Sequence, residues 1–330
     1  MTVARLDVER VEAAARRIDG IARRTGLLTS ASLDACAGAQ VLLKPEIFQR
    51  TGSFKFRGAL NRLLLTTPRE RAAGVVTYSS GNHGAAVALA ASILGARATV
   101  VVPASAVEVK LRAIRAYGAD VRLYDPTHEH REEVAAEIAL HRGAVLVPPF
   151  DDLEVMAGQG TLALEMLDDA GAIDAVLVPV GGGGLVAGVA TAVRARLGSA
   201  CRIVGVEPSG ADDTRRSIAA GHRVARETVT TIADGLRAPV PGELTFEVNR
   251  RLLDDVVVVD DDDIVVAMRF CFERLKIVVE PRGAAALAAL LKGSAGQLGA
   301  RVGVVLSGGN VDAGHFAELV HGASSRDPRS

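Results

Sequence analysis

Three segments of this sequence combine glycine with small polar residues directly after runs of β-branched residues. They read SSGNHG (79–84), GGGGL (181–185) and SGGN (307–310). A helical pattern follows the four glycines Gly181, Gly182, Gly183 and Gly184, so their backbone N–H groups and the positive end of the helix can converge on an anion. Because four residues without Cβ are costly to order as a simple turn, we interpret this segment as a phosphate-binding loop.

Lys55 is the lysine whose neighbours best suit a reactive amine. It is one of only five lysines and lies in TGSFKFRGA (51–59), between Phe54 and Phe56. Aromatic neighbours can desolvate an amine, which lowers its pKa towards that of the nucleophile needed for a Schiff base. A lone lysine would be assigned to the solvated surface. The phosphate-binding loop instead favours a cofactor that carries both an aldehyde and a phosphate.

The glycine loop also fits a second class of cofactor. Gly182, Gly184 and Ala187 have the spacing of the dinucleotide fingerprint, and Glu207 ends the next apolar run. An NAD(P)-binding oxidoreductase is therefore the alternative from another class. It leaves the loops at 79–84 and 307–310 without a role, and no Gly-Lys-Ser/Thr follows the glycines to make a nucleotide P-loop.

Nine apolar, β-branched runs position these loops. They cover 41–44, 75–79, 98–103, 121–124, 144–148, 175–180, 202–207, 255–260 and 302–307. Ala/Leu-rich amphipathic segments separate most of them, which predicts an α/β fold of mostly parallel sheets wrapped by helices. Ligands bind such sheets at the carboxyl ends of the strands, where all three loops fall. The aspartates at 260–263 are predicted to cap a helix and form its first turn.

Composition excludes several classes of protein. The chain has 330 residues, 49% of them hydrophobic, and 38 basic against 39 acidic side chains, for a net charge of −1. This length predicts two domains or one large α/β unit, and the charge argues against nucleic-acid binding and disorder. We find neither a signal peptide nor a membrane span, so we expect no membrane partner and a cytoplasmic location. Cys36, Cys201 and Cys271 are interpreted as small buried residues.

Five motifs, in this order, resemble the fold-type II pyridoxal-phosphate enzymes, specifically the serine/threonine dehydratase and serine racemase group. The resemblance runs from Arg23 to Asp312 and adds GQGT (158–161) as a further family loop. It implies the tryptophan synthase β-like fold, with two domains that each contain a mostly parallel sheet. A large cofactor-binding domain would span 1–69 and 146–330, a small mobile domain 70–145, and the enzyme would be a homodimer.

The resemblance also implies roles for particular residues. Lys55 would bind pyridoxal 5′-phosphate covalently and act as the catalytic base, and the four glycines would hold the phosphate. Phe54 would stack near the ring, Asn82 would contact its 3′-oxygen, and Ser307 would face the pyridine nitrogen. A neutral hydroxyl at that nitrogen favours expulsion of a β-leaving group. The substrate carboxylate would be held by Ser79, Ser80 and His83.

The implied activity is deamination of L-threonine or L-serine to a 2-oxo acid and ammonia. Ser80, as a second catalytic base on the opposite face of the ring, would add serine racemase activity. Arg131 resembles a substrate-contacting arginine of hydroxyaspartate-acting relatives, so a hydroxyaspartate dehydratase or racemase is the alternative. Mg²⁺, or Ca²⁺, would be held by oxygen ligands from Glu207, Ala211 and Asp213. Glu280 would lie behind the residues that touch the cofactor.

Overall fold

The computed structural model describes residues 5–106 and 108–322, without the side chains of 108–110 and 322. The nine predicted runs form nine strands, although the fifth is only two residues long. The strands are β1 (Gln40–Pro45), β2 (Val75–Tyr78), β3 (Ala98–Pro103), β4 (Asp120–Tyr124), β5 (Val145–Leu146), β6 (Ala175–Pro179), β7 (Arg202–Pro208), β8 (Asp255–Val259) and β9 (Arg301–Leu306).

Fourteen α-helices accompany these strands in the described residues. They are α1 (Val8–Ile18), α2 (Ala31–Ala37), α3 (Lys55–Leu64), α4 (Pro68–Ala73), α5 (Asn82–Ile93), α6 (Glu108–Ala116), α7 (Arg131–Arg142), α8 (Leu153–Ala170), α9 (Gly184–Leu197), α10 (Asp213–Ala220), α11 (Glu243–Leu252), α12 (Asp261–Phe270), α13 (Pro281–Lys292) and α14 (Ala313–Gly322). The predicted alternation of strands and helices is confirmed.

The strands form two separate parallel sheets. The first has five strands in the order β1-β9-β6-β7-β8, and the second has four in the order β4-β3-β2-β5. Every described strand pairing is parallel. Parallel strands need long crossovers, which the helices supply, so both faces of each sheet are covered.

Alternate side chains of the five-stranded sheet enter two different hydrophobic cores. Val176 and Val178 pack in the core shared with α8 and α9, whereas Leu177 points to the core shared with α12 and α13. This period of two places β6 between two helical layers, with all of its residues buried. The carboxyl end of this strand, where the four glycines follow, is therefore held rigidly at the centre of the sheet.

The prediction that GQGT forms a loop is wrong. Residues 158–161 lie inside α8, where they are buried. A Cβ built on Gly158 would come within 2.6 Å of the Gly58 Cα, and one on Gly160 within 2.6 Å of the Gly188 carbonyl oxygen. The absence of side chains lets α8 approach α3 and α9 closely, so these glycines serve helix packing.

Two smaller predictions have opposite outcomes. Asp260 and Asp263 form a reciprocal capping box at the start of α12, as predicted. Cys201 and Cys271 are buried, but the prediction is wrong for Cys36, which is exposed on the short helix α2. In the described part of the chain, none of the helices combines the length and the apolar character that a bilayer crossing requires.

Candidate active site

Lys55 and two of the glycine-rich loops meet in one cavity at the carboxyl ends of the five-stranded sheet. Backbone contacts fix this arrangement: Ser53 bridges Gly308, and the Phe54 N–H donates to the Ser307 carbonyl at 3.1 Å. Lys55, the first residue of α3, is thereby placed beside the end of β9. The cavity is lined by Phe54, Lys55, Phe150, Pro179, Gly181, Gly182, Gly183, Gly184, Leu185, Gly235, Leu236, Arg282 and Ser307.

The Lys55 amine is held inside this cavity by an uncharged partner. Its Nζ donates to the Pro149 carbonyl at 2.6 Å and lies 5.0 Å from the centre of the Phe54 ring. Burial lowers the pKa of Lys55 to about 7, and the positive charge of Arg282 acts in the same direction. A large fraction of this lysine is therefore the neutral, nucleophilic amine at neutral pH.

The four glycines form a cradle at the amino end of α9. Gly183 has φ of 90°, and no side chain caps the helix there. The loop is fixed from behind, because Thr245 Oγ1 donates to the Gly182 carbonyl at 2.8 Å and Asn249 Nδ2 to that of Gly183 at 3.3 Å. With those carbonyls occupied and the helix uncapped, the loop has the geometry of a phosphate site.

Side chains could not be added to this cradle without displacing its surroundings. A Cβ on Gly182 would collide with the Phe150 ring, and one on Gly183 would come within 2.6 Å of Asn249 Nδ2. A buried amine with a lowered pKa and an anion cradle on the opposite wall match the aldehyde and the phosphate of pyridoxal phosphate. The residues present therefore fit this cofactor.

Asn82 has a fixed orientation beside the same cavity. Its Nδ2 donates to Glu280 Oε1 at 2.7 Å, and its Oδ1 accepts from Asn310 Nδ2 at 2.9 Å. One N–H of the Asn82 amide remains for a ligand. Glu280 therefore lies behind Asn82, as expected, and its carboxylate is paired at 3.0 Å with Nε of Arg282.

The loop at 79–84 leads into α5 and offers donors of two kinds. No side chain caps α5, so the N–H groups of its first turn are available for an anion, and the Ser79 and Ser80 hydroxyls precede them. His83 behaves differently. Its Nε2 lies 3.1 Å from the Val147 carbonyl, and burial lowers its pKa to about 3, so the ring is neutral and donates to that carbonyl. Only the backbone N–H of His83 remains as a donor for a carboxylate.

Arg131 does not line the Lys55 cavity. It begins α7, where its side chain is 44% exposed and forms an ion pair with Glu132 at 2.8 Å. Its guanidinium lies 5.8 Å from the centre of the Tyr78 ring, at the end of β2 just before Ser79. Arg131 is therefore near the 79–84 loop, but on the exposed side of it.

Glu207 and Asp213 form a separate buried acidic pair. Glu207 accepts the backbone N–H groups of Thr214 at 3.0 Å and Arg215 at 2.9 Å. Both oxygens of Asp213 are buried without a hydrogen-bond partner among the described residues. Burial is the main cause that raises the pKa of Glu207 to about 8, with repulsion from Asp213 second, and burial raises that of Asp213 to about 7.

Orphaned carboxylate oxygens of this kind suit a hard cation, and Ala211 in the intervening turn offers a carbonyl. A cluster of three or more His, Cys, Asp or Glu side chains able to hold a metal does not occur in the described ranges. The two acids and one carbonyl are thus the metal-binding candidates.

Sequence reasoning missed three residues of the cavity wall. Phe150 follows β5, Gly235 lies in a 3₁₀ turn, and Arg282 is the second residue of α13. The motif VEPRGAA contains Arg282, but a charged residue in the first turn of a helix usually faces water. Only tertiary packing shows that this arginine points into the cavity.

Comparison with known proteins agrees with this geometry. The family described as "Pyridoxal-phosphate dependent enzyme" matches residues 18–308. The L-threo-3-hydroxyaspartate ammonia-lyase of Pseudomonas sp is 46% identical over 94% of this chain and 97% of its own length.

Two solved structures extend the comparison. Maize serine racemase superimposes with a TM-score of 0.90 at 42% identity, covering 96% of this chain and 98% of its own. A bacterial-type comparison comes from the threonine deaminase of T.th., which superimposes with a TM-score of 0.88 at 45% identity, covering 93% and 99%. This chain belongs to the family of pyridoxal-phosphate-dependent enzymes.

Proposed function

We propose that this protein is a pyridoxal-phosphate-dependent ammonia-lyase that converts β-hydroxy amino acids, L-serine or L-threonine among them, to 2-oxo acids and ammonia. The observation that carries the proposal is a single cavity with the Lys55 amine on one wall and the glycine cradle on another. Relatives named serine racemase, threonine deaminase and L-threo-3-hydroxyaspartate ammonia-lyase support this substrate class.

The cavity residues divide the chemistry among them. Bound pyridoxal phosphate supplies a covalent attachment for the substrate amine and a ring that withdraws electrons from Cα. The Lys55 amine accepts the Cα proton as a general base, for which a pKa of about 7 is well suited. Loss of the β-hydroxyl as water, followed by hydrolysis, gives the 2-oxo acid and ammonia.

Three polar residues set the environment of the ring. Ser307, which is buried, offers the ring nitrogen a neutral hydroxyl rather than a carboxylate. Asn82, held by Glu280 and Asn310, directs its remaining N–H to the ring oxygen. These contacts favour expulsion of a β-leaving group over a long-lived negative charge at Cα.

Racemase activity requires a second proton donor and acceptor. Ser80 lies in the loop before α5, whereas Lys55 begins α3. We assign Ser80 to the face of the ring opposite Lys55, from which it returns a proton to Cα. Chiral analysis of recovered serine tests the assignment. Ser80→Ala should lower interconversion of D- and L-serine about a hundredfold, and unchanged interconversion would refute the role.

The dinucleotide alternative lacks support in the structure. Glu207, its ribose-binding residue, is fully buried and directs its carboxylate to backbone N–H groups of α10. The glycine cradle faces Lys55, which an NAD(P) site does not need. The alternative substrate, a β-hydroxyaspartate, keeps its support from the Pseudomonas relative.

Three further features belong to the same proposal. Mg²⁺ or Ca²⁺ is bound by Glu207, Asp213 and the Ala211 carbonyl, which satisfies the orphaned carboxylate oxygens of Asp213. Residues 70–145 form a small mobile domain against 1–69 and 146–330. The four-stranded sheet supports this division, since its strands span only Val75–Leu146.

The third feature is a homodimer. Three large apolar side chains are exposed, which suits an interface between two copies. These residues are Phe48, Phe272 and Val278. Light scattering of the purified protein measures the mass directly.

The experiment that tests the proposed activity is 2-oxo acid release from the holoenzyme, measured with L-serine, L-threonine and 3-hydroxyaspartate. We expect turnover of at least one of the three and none in Lys55→Ala. A protein that carries the cofactor but releases no 2-oxo acid from any of them would refute the proposal.

A further inference from the structure

Arg282 is a buried charge that the proposed reaction does not use. Its side chain is only 11% exposed, yet it lines the cavity together with Lys55 and Ser307. A Cβ built on Gly235 would collide with its guanidinium, and one on Gly81 would lie 3.4 Å from its Nη2. The guanidinium is therefore wedged between the 3₁₀ turn at 234–236 and the loop that begins α5.

Two acids hold this guanidinium in place. Nε lies 3.0 Å from Glu280 Oε2, and Nη2 lies 3.7 Å from Asp234 Oδ1. Glu280 also accepts from Asn82, so one of its oxygens is shared with the cofactor-facing amide. Asp234 is 41% exposed, so water screens its charge. The arginine keeps a fixed direction, and its Nη groups face the cavity.

The α-carboxylate of a substrate does not require this arginine. The uncapped first turn of α5 and the hydroxyls of Ser79 and Ser80 already provide several donors for one carboxylate. A guanidinium provides a planar pair of N–H groups that matches a second carboxylate. An amino acid with a carboxylate side chain is the ligand that would use both sets of donors.

Arg131, the other candidate for this role, is less well placed. Its side chain is 44% exposed and already paired with Glu132, outside the lining of the cavity. A charged contact gains strength when water is excluded, which favours the buried arginine.

We propose that Arg282 binds the side-chain carboxylate of the substrate and that the enzyme prefers dicarboxylic β-hydroxy amino acids. This specificity role rests on the proposed function, because it assumes that an amino acid is bound in the Lys55 cavity. It places the preferred substrate in the class of the 3-hydroxyaspartates.

L-Aspartate and L-alanine are suitable probes, because both lack a β-hydroxyl and cannot be dehydrated. The spectral change of the holoenzyme on titration gives the Kd of each, independently of turnover. We expect the wild type to bind L-aspartate at least tenfold more tightly than L-alanine. Arg282→Met should raise the Kd of L-aspartate at least tenfold and that of L-alanine less than threefold. In the matched control Arg202→Met, which removes an arginine paired with Asp255 at 3.0 Å at the opposite end of the strands, both should remain unchanged.

Several results would overturn the inference. Equal loss of both ligands in Arg282→Met would mean that Arg282 serves the cofactor or the α-carboxylate. Loss of aspartate affinity in Arg131→Met instead would assign the role to Arg131. If Arg282→Met does not fold, the wild-type preference still decides, because equal affinities contradict the proposal. A protein with no visible band would point to failure of the proposed function itself.

Discussion

Lys55 shows how a residue's surroundings turn an ordinary side chain into a reactive one. Its amine hydrogen-bonds a carbonyl rather than a carboxylate, so no negative partner stabilises the charged form. Burial and the nearby Arg282 both disfavour that form and lower the pKa to about 7. A solvated lysine would be almost entirely protonated at neutral pH.

The lowered pKa predicts the pH dependence of cofactor attachment. Only the neutral amine attacks an aldehyde, so the rate at which cofactor-free protein binds pyridoxal phosphate should rise with pH and level off above a midpoint near 7. The appearance of the visible band in stopped-flow absorbance measures this rate. A rate that keeps rising beyond about pH 9, as for a free lysine, would contradict the account.

At the residue scale, sequence reasoning succeeded where a motif fixes the backbone. Lys55 and the four glycines could be identified because their neighbours dictate local geometry. Arg282 could not be identified, because the direction of its side chain depends on Glu280, Asp234 and Gly235, two of which lie in a distant segment. The exposure of Cys36 was missed for a similar reason, since residue type alone does not fix burial.

At the scale of elements, the junction of β6 and α9 carries the cofactor-binding geometry. Gly183 adopts φ of 90°, which costs other residues about 1–2 kcal/mol. The position also lies against Thr245 and Asn249 of α11, which hold the loop through its carbonyl oxygens. A strand, a loop and two helices must therefore agree before an anion can bind.

Gly183→Ala is predicted to weaken cofactor binding at least tenfold. The new Cβ would come within 2.6 Å of Asn249 Nδ2 and would strain the left-handed backbone, so the cradle must deform. Equilibrium dialysis against pyridoxal phosphate gives the Kd. Gly38→Ala is the matched control, because Gly38 has a similar φ of 63° with open space around it and lies at the end of α2. An unchanged Kd in Gly183→Ala, or equal losses in both variants, would count against the cradle.

The order of strands and helices could be predicted from periodicity, because buried parallel strands have distinctive apolar runs. The role of Gly158 and Gly160 could not. Glycine favours both loops and close helix contacts, and the choice depends on whether another helix packs there. In this fold α3 and α9 do, so α8 continues through GQGT.

At the scale of the whole molecule, the acidic pair links the folded state to pH and metal. The pKa of Glu207 rises from 4.5 to about 8 and that of Asp213 from 3.8 to about 7. In the unfolded chain both carboxyls ionise near pH 4, while the folded protein retains their protons. The contribution of this pair to the free energy of unfolding is therefore full at low pH and falls as pH rises from about 4 to about 8.

Mg²⁺ should reverse this loss of stability. We expect the melting temperature of metal-free protein to fall between pH 5 and 8, and added Mg²⁺ to raise it by an amount that grows with pH. Differential scanning calorimetry in chelator and in Mg²⁺ measures both. Asp213→Asn should abolish the Mg²⁺ effect. An effect that persists in this variant would place the metal elsewhere.

The central claim is that Lys55 binds pyridoxal phosphate in the cavity opposite the glycine cradle. The most direct measurement is the visible absorbance spectrum of the purified protein and of Lys55→Ala, both incubated with pyridoxal phosphate and then desalted. We predict a visible band that stays with the wild type and is absent from Lys55→Ala, with unchanged circular dichroism. A wild type without a band, or a band retained in Lys55→Ala, would contradict the account.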